Sequence, residues 1–384
     1  FTEMCGLAPS RILGQLNYAA GGWEHAEIRM LATGKVEVVT GTSPHGQGHE
    51  TAWSQIVADR LGVPFEDVEV LHGDTQVSHR GMDTYGSRSL VVGAEAVVKA
   101  ADKVIERARH VAAHVLEASE DDLEFSGGRF DVRGTDQGMT IQEIALATFA
   151  GHHLPDWAEP SIDASAAFDP ENFSFPHGTH LCAMEIDTET GASTMRKYVA
   201  VDDIGTIINP LIVSGQVHGG LVQGISQALW EEAVHDESGT LVTASFVDYT
   251  LPTAADTISF ETDHTTSPST YTILGTKGVG EAGAIASTPA VVNAIVDALR
   301  PLGVDDVTMP CTPERVYKAI RAVAGTGDST ANDVSALGGD AARAAEGQPH
   351  FESGAPDNAD PGPSGAGGPG GSGGSGGSGE GSAQ

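Results

Sequence analysis

Twice along this chain a β-like stretch runs into a glycine-rich polar loop and then into helical periodicity, and that recurrence limits the architectures open to it. The first instance has Ala26 to Leu31, a turn at Ala32 to Lys35, and the alternating run Val36-Glu37-Val38-Val39, which is a hairpin pattern. The loop Gly41-Thr42-Ser43-Pro44-His45-Gly46-Gln47-Gly48-His49 follows, and Trp53, Ile56, Val57 and Leu61 then mark one face of a helix. In the second instance, strands near 179–187 and 194–202 precede a loop through Gly205 and Asn209-Pro210 that carries Gly215-Gln216-Val217-His218, before a helix ending near Trp230. The shared Gly-Gln-x-His argues for an internal duplication. Chance likeness between two glycine-rich loops is the competing explanation.

Between and after these repeats the punctuation predicts smaller elements. A short strand, Val68 to Leu71, leads into a polar loop from His72 to Ser89, and Val91, Val97, Val104, Val111 and Val115 carry a long helix to about Glu117. Residues 123–133 read as a small hairpin turned at Gly127-Gly128, and Thr140-x-x-Glu143 as a capping box. The stretch 151–175 lacks periodicity and reads as a surface excursion. Further strands are expected near 241–261, and Thr288 with Pro289 supplies cap and first-turn signals for a helix to Leu299. A last helix spans Pro313 to Val323. Beyond Gly325 the chain is Gly, Ser, Ala, Pro and scattered acids, which bury too little apolar surface to offset chain entropy, so 326–384 is expected to be a disordered tail.

Charge narrows the partners. The chain of 384 residues carries 20 Lys and Arg against 53 Asp and Glu, a formal net charge of −33, which disfavours nucleic acid as partner. Only six of the bases are lysine, a pattern that fits a halophilic surface. Cys5, Cys182 and Cys311 form no C-x-x-C pair, so neither a disulfide framework nor a zinc ribbon is expected, and a reducing cytoplasm fits. No run of 18 apolar residues is present, so no transmembrane segment is expected.

Gly278-Val279-Gly280-Glu281-Ala282-Gly283 matches G-x-G-x-x-G, but the cap signals put the helix six residues later and no acid follows at the required distance, so a nicotinamide site is disfavoured. Glu281 stands among small residues with Lys277 as its polar neighbour; if desolvated there, its carboxylate would have a raised pKa and suit a general base. An exposed loop glutamate is the plain alternative. The loops around Gln47, Tyr85-Gly86-Ser87-Arg88-Ser89 and Gln216 are each read as preceding a helix, where free N–H groups can meet phosphate oxygens and glutamine can pair with a flat heterocycle. The histidines show no zinc spacing, and no metal ligand is assigned.

Four ordered motifs, Gly41 to Thr51, Asp83 to Ser89, Asp202-Asp203-Ile204-Gly205 with Asn209-Pro210 and Gly215 to Gly220, and Lys277 to Glu281, resemble the molybdopterin-binding large subunit of the xanthine oxidase family, in particular its aerobic carbon monoxide dehydrogenase branch. The likeness runs from residue 1 to about 325 and covers the second half of such a subunit. It implies a molybdenum ion held through the dithiolene of molybdopterin cytosine dinucleotide, with no protein ligand to the metal. Glu281 would be the base acting on metal-activated water. Gln47 and Gln216 would approach the metal's oxo group and the pterin, and Gly46, Gly48 and His49 would also bind the cofactor. Tyr85, Gly86, Ser87, Arg88, Ser89, Asp203 and Asn209 would hold pterin and phosphate atoms, and Lys277, Gly278 and Val279 would lie nearby. Copper, where present, would be held by a residue outside this chain, because Cys5 and Cys182 sit in no cysteine loop. The resemblance further implies an iron–sulfur small subunit and an FAD medium subunit, a dimer of heterotrimers, and a cytoplasmic place, with the inner face of the membrane as an option.

The expected fold is α/β (α+β mixed), with two similar cofactor-binding subdomains, 1–175 and 176–325, short mixed sheets and flanking helices. The expected activity is carbon monoxide dehydrogenase-like oxidation of a small substrate with water-derived oxygen. Aldehyde or purine oxidation and a non-catalytic cofactor-binding fragment are the alternatives.

Overall fold

A computed structural model describes residues 1–5, 9–152 and 154–326; apart from Thr326, the tail expected to be disordered lies outside them. After a short helix α1 (Ser10–Gln15), β1 (Glu24–Met30) and β2 (Val36–Thr40) form the expected antiparallel hairpin. Helix α2 (His49–Leu61) leads to β3 (Val68–Leu71), which returns parallel to β2. Along β1 burial alternates without a break, so Ala26, Ile28 and Met30 face the core together with one charged residue, Glu24.

A short π-helical turn, Ser89–Gly93, opens α3 (Ala94–Val115), whose buried face is rich in alanine. Small side chains let that helix lie close on β1 and on β7 (Ala164–Phe168). Strand β7 is a departure from expectation: the supposed surface excursion contains an edge strand antiparallel to β1, giving the order β3-β2-β1-β7. Its Ala-Ser-Ala-Ala run has low strand propensity, and pairing with β1 overrides it. A separate sheet of β4 (Leu123–Ser126), β5 (Arg129–Val132) and β6 (Gly138–Thr140) precedes α4 (Ile141–Ala150), whose capping box between Thr140 and Glu143 forms as the spacing predicted.

The second half repeats the plan. Strands β8 (His177–Ile186) and β9 (Ser193–Asp203) make a hairpin, α5 (Pro210–Leu229) follows, and β10 (Glu261–Thr265) returns parallel to β9. Of the strands expected near 241–261, no named strand forms before Glu261, and β10 is exposed along its whole length. Helix α6 (Ala282–Leu299) packs on α5 and β8, and α7 (Pro313–Thr326) ends the described chain. Tyr198, Leu221, Ile225, Val291, Ile295 and Leu299 fill this half's core. The described residues form one compact unit.

Two corrections concern helix starts. Helix α6 begins at Ala282, with Pro289 inside it, six residues before the predicted cap. Thr288 is a helix contact instead, its hydroxyl donating to the Gly224 carbonyl of α5 at 3.1 Å. Gly224 and Gly283 let the two helices approach; a Cβ on Gly283 would come within 2.6 Å of the Val217 carbonyl. Gly215-Gln216-Val217-His218 lies within α5, not in a loop before it, because Asn209 caps that helix: its Oδ1 accepts the Ile212 N–H at 3.0 Å and Pro210 takes the first position. The α6 stretch through Leu302 is long and apolar enough to cross a membrane by length and composition alone; Val291, Ile295 and Leu299 are buried in the core of this unit.

Candidate functional site

Four segments distant in sequence meet around a cavity of about 470 Å³. The loop at His45, Gly46 and Gln47 enters with His49 and Trp53 from the first turns of α2. Residues 84–90 form a second wall, and 204–209 with Ile212, Val213 and Gln216 a third. Gly278, Val279, Gly280 and Glu281 close it from the start of α6. The N-terminal ends of α2, α5 and α6 therefore share one cavity, where helix dipoles and unpaired N–H groups favour negative charge.

The α2 entry depends on glycine. Gly46 and Gly48 have φ of +87° and +79°, and a Cβ on Gly48 would approach Ile212 Cδ1 at 2.8 Å, so this loop seats against α5 only without a side chain. The Gln47 amide turns onto its own loop, accepting from the His45 N–H and donating to the Ser43 carbonyl at 3.2 Å. His49 is buried and stacked on Trp53 with ring centroids 4.9 Å apart. Burial first, and His72 second, lower its pKa to about 4, so it is neutral near pH 7, and its Nδ1 is buried with no partner.

The second wall is held by a buried ion pair. The Arg88 guanidinium is fully buried, with Nη1 on Glu24 Oε2 at 2.8 Å and Nη2 on the Trp23 carbonyl at 2.7 Å. Both of its Nη groups are taken up by the scaffold, while Arg88 lines the cavity with its Nε buried and unpartnered. Asp83 and Ser87 are held at φ of +71° and +52°, a left-handed conformation unfavourable for non-glycine residues. The Ser89 hydroxyl donates to Thr84 Oγ1 at 2.9 Å, so it too ties the loop together. Tyr85 stays partly exposed on the cavity wall, its ring centroid 5.3 Å from the Arg88 Cζ, and Gly86, at φ +56°, has open space where a Cβ would sit.

Asp203 and Lys277 likewise pair with each other, Lys277 Nζ lying 2.7 Å from Asp203 Oδ1 and 2.8 Å from Ser267 Oγ. Burial works to raise the Asp203 pKa, but donation from Lys277, Ser267 and the Gly205 N–H outweighs it and holds the carboxyl at about 2. Neither residue is among those lining the cavity. Asn209 is at the wall, but its side chain caps α5 and donates to Gln55 Oε1 at 2.8 Å. Gln216 faces the cavity from inside α5, with Gln223 two turns on. Sequence reasoning missed Gln223, although its i, i+7 spacing from Gln216 was readable.

Glu281 is the N-cap residue of α6. Its N–H donates to Ser87 Oγ at 3.0 Å while its side chain is exposed, so the expectation of a desolvated carboxylate fails. The small residues around it serve packing: a Cβ on Gly278 would collide with the Ser87 carbonyl and with Cys5 Sγ. The helix does open within G-x-G-x-x-G, which removes one reason for rejecting a dinucleotide fingerprint; no named strand leads into it, so the nicotinamide reading stays disfavoured. Among the described residues no group of three or more His, Cys, Asp or Glu could hold a metal ion.

Residues 1–258 match the family model described as molybdopterin cofactor-binding domain. The chain belongs to this family. It is 41% identical over 322 residues to the carbon monoxide dehydrogenase large chain of Hydrogenophaga pseudoflava, covering 84% of this chain and 40% of that one. Among solved structures, carbon monoxide dehydrogenase from Oligotropha carboxidovorans matches with a TM-score of 0.78 and 39% identity, over 85% of this chain and 40% of that one. Quinoline 2-oxidoreductase from Pseudomonas putida 86 matches with a TM-score of 0.77 and 39% identity, over 84% and 41%. The chain spans about two fifths of the length of the relatives it matches.

The cavity suits a molybdopterin cofactor in its donor set. The orphaned His49 Nδ1 and the Gln216 amide are groups that a polar heterocycle can use, and the helix N-termini that meet at the cavity favour its phosphates. Ile204, Ile207, Ile208, Ile212 and Val279 form apolar walls between them. Of the described lining residues, Arg88, which is paired with Glu24, and Glu281 carry formal charge.

Proposed function

We propose that this chain is the C-terminal, cofactor-binding part of a molybdenum hydroxylase large subunit of the carbon monoxide dehydrogenase type, with residues 1–175 and 176–325 as its two cofactor-binding parts. The observation that carries this reading is the convergence of four sequence-distant segments on one cavity with Glu281 at its rim. The cofactor is read as molybdopterin cytosine dinucleotide, which supplies a redox-active molybdenum when bound. The backbone of Gly46 to His49 and of Gly86-Ser87 would hold its polar atoms, with the Gln47 and Gln216 amides and His49 Nδ1 offering hydrogen bonds. Glu281 would take a proton at its exposed carboxylate. The apolar walls would keep water from the bound group.

Substrate electrons would pass to an iron–sulfur small subunit and then to an FAD medium subunit, in a cytoplasmic dimer of heterotrimers. Any copper would be held by a residue outside this chain. An N-heterocycle is the second substrate reading, favoured by the equal likeness to quinoline 2-oxidoreductase.

The test uses the full-length protein with its partner subunits. It should contain about one molybdenum per copy and release a cytidine nucleotide on acid treatment; absence of both sinks the reading. Glu281→Gln should keep the molybdenum and lose turnover by about 10²–10⁴-fold, the usual contribution of general base catalysis. Turnover at the wild-type rate would remove Glu281 as the base.

A further inference from the structure

Glu3 is a buried carboxylate that this scheme does not use. It lies in the segment Phe1–Cys5, which runs antiparallel to 174–178: the Glu3 N–H donates to the Pro176 carbonyl at 3.0 Å and the Cys5 N–H to the Ser174 carbonyl at 2.9 Å. Glu3 is 7% exposed, and both of its carboxylate oxygens are buried with no hydrogen-bond partner. A buried carboxylate in that state is rare, because losing water without gaining donors is costly.

Its surroundings explain what it waits for. Ser87, on the strained loop, touches both Glu3's segment at Cys5 and the start of α6 at Glu281, and this brings the Glu281 carboxylate within electrostatic reach of Glu3. Ser87 Oγ already accepts the Glu281 N–H, and the Cys5 thiol, on Glu3's own segment, donates to the Ser87 carbonyl at 2.8 Å. The nearby cation, Arg88, is committed to Glu24. Burial pushes the Glu3 carboxyl up to about 7, the Ser87 hydroxyl opposing and the charge of Glu281 adding to the rise. Burial and then the charge of Glu3 push the Cys5 thiol up, so it stays protonated and adds no third negative charge. Two neighbouring carboxylates without a cation between them settle by sharing a proton.

We propose that Glu3 and Glu281 are a carboxyl pair holding one proton between them, with Glu3 as the positioning residue that fixes Glu281 at the cavity rim. The protonated Glu3 donates its O–H to one oxygen of Glu281, and the other oxygen stays open to the cavity. When that oxygen takes a proton, both carboxyls are neutral, and one proton then leaves to solvent from the exposed Glu281. No electrons move in this relay. Above the pH at which Glu3 ionises, the pair carries two negative charges and Glu281 is pushed from its place.

The catalytic half of this proposal rests on Glu281 as the base; the pairing does not. Infrared spectra of the full-length protein, titrated with pH, should show a protonated carboxyl band disappearing near pH 7. The band should be absent in Glu3→Gln and should titrate at lower pH in Glu281→Gln, which removes the neighbouring charge. In kinetics, kcat should fall above neutral pH in the wild type. Glu3→Gln should flatten that limb with KM unchanged, since its amide donates the same hydrogen bond at every pH. A band that survives in Glu3→Gln, or one that titrates identically with and without the Glu281 charge, overturns the pairing. Should Glu3→Gln fail to fold, Glu281→Gln alone still reads the coupling. A coupled titration together with a fully active Glu281→Gln would keep the pair and refute the base, whereas an uncoupled Glu3 beside an inactive Glu281→Gln would do the reverse.

Discussion

The two halves of the folded unit run through the same order of elements: hairpin, helix, a third strand parallel to the second, and a further helix on the first strand. They differ in where they spend their motifs. Gly46-Gln47-Gly48-His49 is loop leading into α2, whereas Gly215-Gln216-Val217-His218 is the interior of α5. The duplication is therefore supported by topology and not by the four-residue likeness that first suggested it. Each half also buries one ion pair beside the cavity, Glu24 with Arg88 and Asp203 with Lys277. In both, a cation that sequence assigned to the cofactor has been used to fix the wall around it.

Those ion pairs are where the comparison can be broken most forcefully. Glu24 is fully buried, and apart from Arg88 its carboxylate has only backbone donors, from His25 at 2.9 Å and Met82 at 3.2 Å. Arg88→Met leaves that charge uncompensated and should cost about 3–5 kcal/mol in denaturant unfolding, with the Asp83 to Ser89 loop exposed to protease. A loss below about 1 kcal/mol would mean that backbone donors alone carry Glu24.

The second pair should give a smaller loss with a pH signature. The Asp203 carboxyl is depressed to about 2 against an ordinary value of 3.8, so its stabilisation is present above the ordinary value and is lost as pH falls through about 2. The shift corresponds to about 2 kcal/mol. Lys277→Met should remove much of this, because Lys277 is the largest donor opposing burial, leaving Ser267, the Gly205 N–H and the Thr265 hydroxyl on Asp203. The difference in unfolding free energy between wild type and variant should shrink as pH falls from 4 to 2. A difference constant with pH would mean that Lys277 acts by packing.

How far the sequence could be read follows the range of the interactions. Hairpins at 26–40 and 177–203, α2, α3 and the Thr140 capping box follow from local period and cap chemistry, and all form. Helix α6 was misplaced because Thr288-Pro289 imitates a helix start, while the real start is set by close packing of Gly283 on α5. Strand β7 was missed because its alanines have no strand preference of their own. Arg88 and Lys277 were read as ligand-facing because their acids lie 64 and 74 residues away, beyond any spacing rule. Glu3 had no motif at all; only burial against Ser87 and Glu281 singles it out.

The mildest test bears directly on the two Gly-Gln-x-His motifs. If they were equivalent loops, replacing the first glycine of each with alanine should have the same sign of effect. The structure separates them. A Cβ on either Gly46 or Gly215 meets nothing within 4 Å, so steric contact is equal and only backbone conformation differs. Gly46 has φ +87°, where an L-residue is strained, so Gly46→Ala should destabilise by about 1–2 kcal/mol. Gly215 sits inside α5 without a positive φ, and alanine is favoured over glycine in a helix interior by about 1 kcal/mol, so Gly215→Ala should stabilise. Urea midpoints moving in opposite directions would confirm that one sequence motif serves a turn in the first half and a helix in the second. Midpoints moving together would mean that the stretch from Pro210 to His218 is not helical in solution, and the topological match between the halves would then need a loop restored before α5.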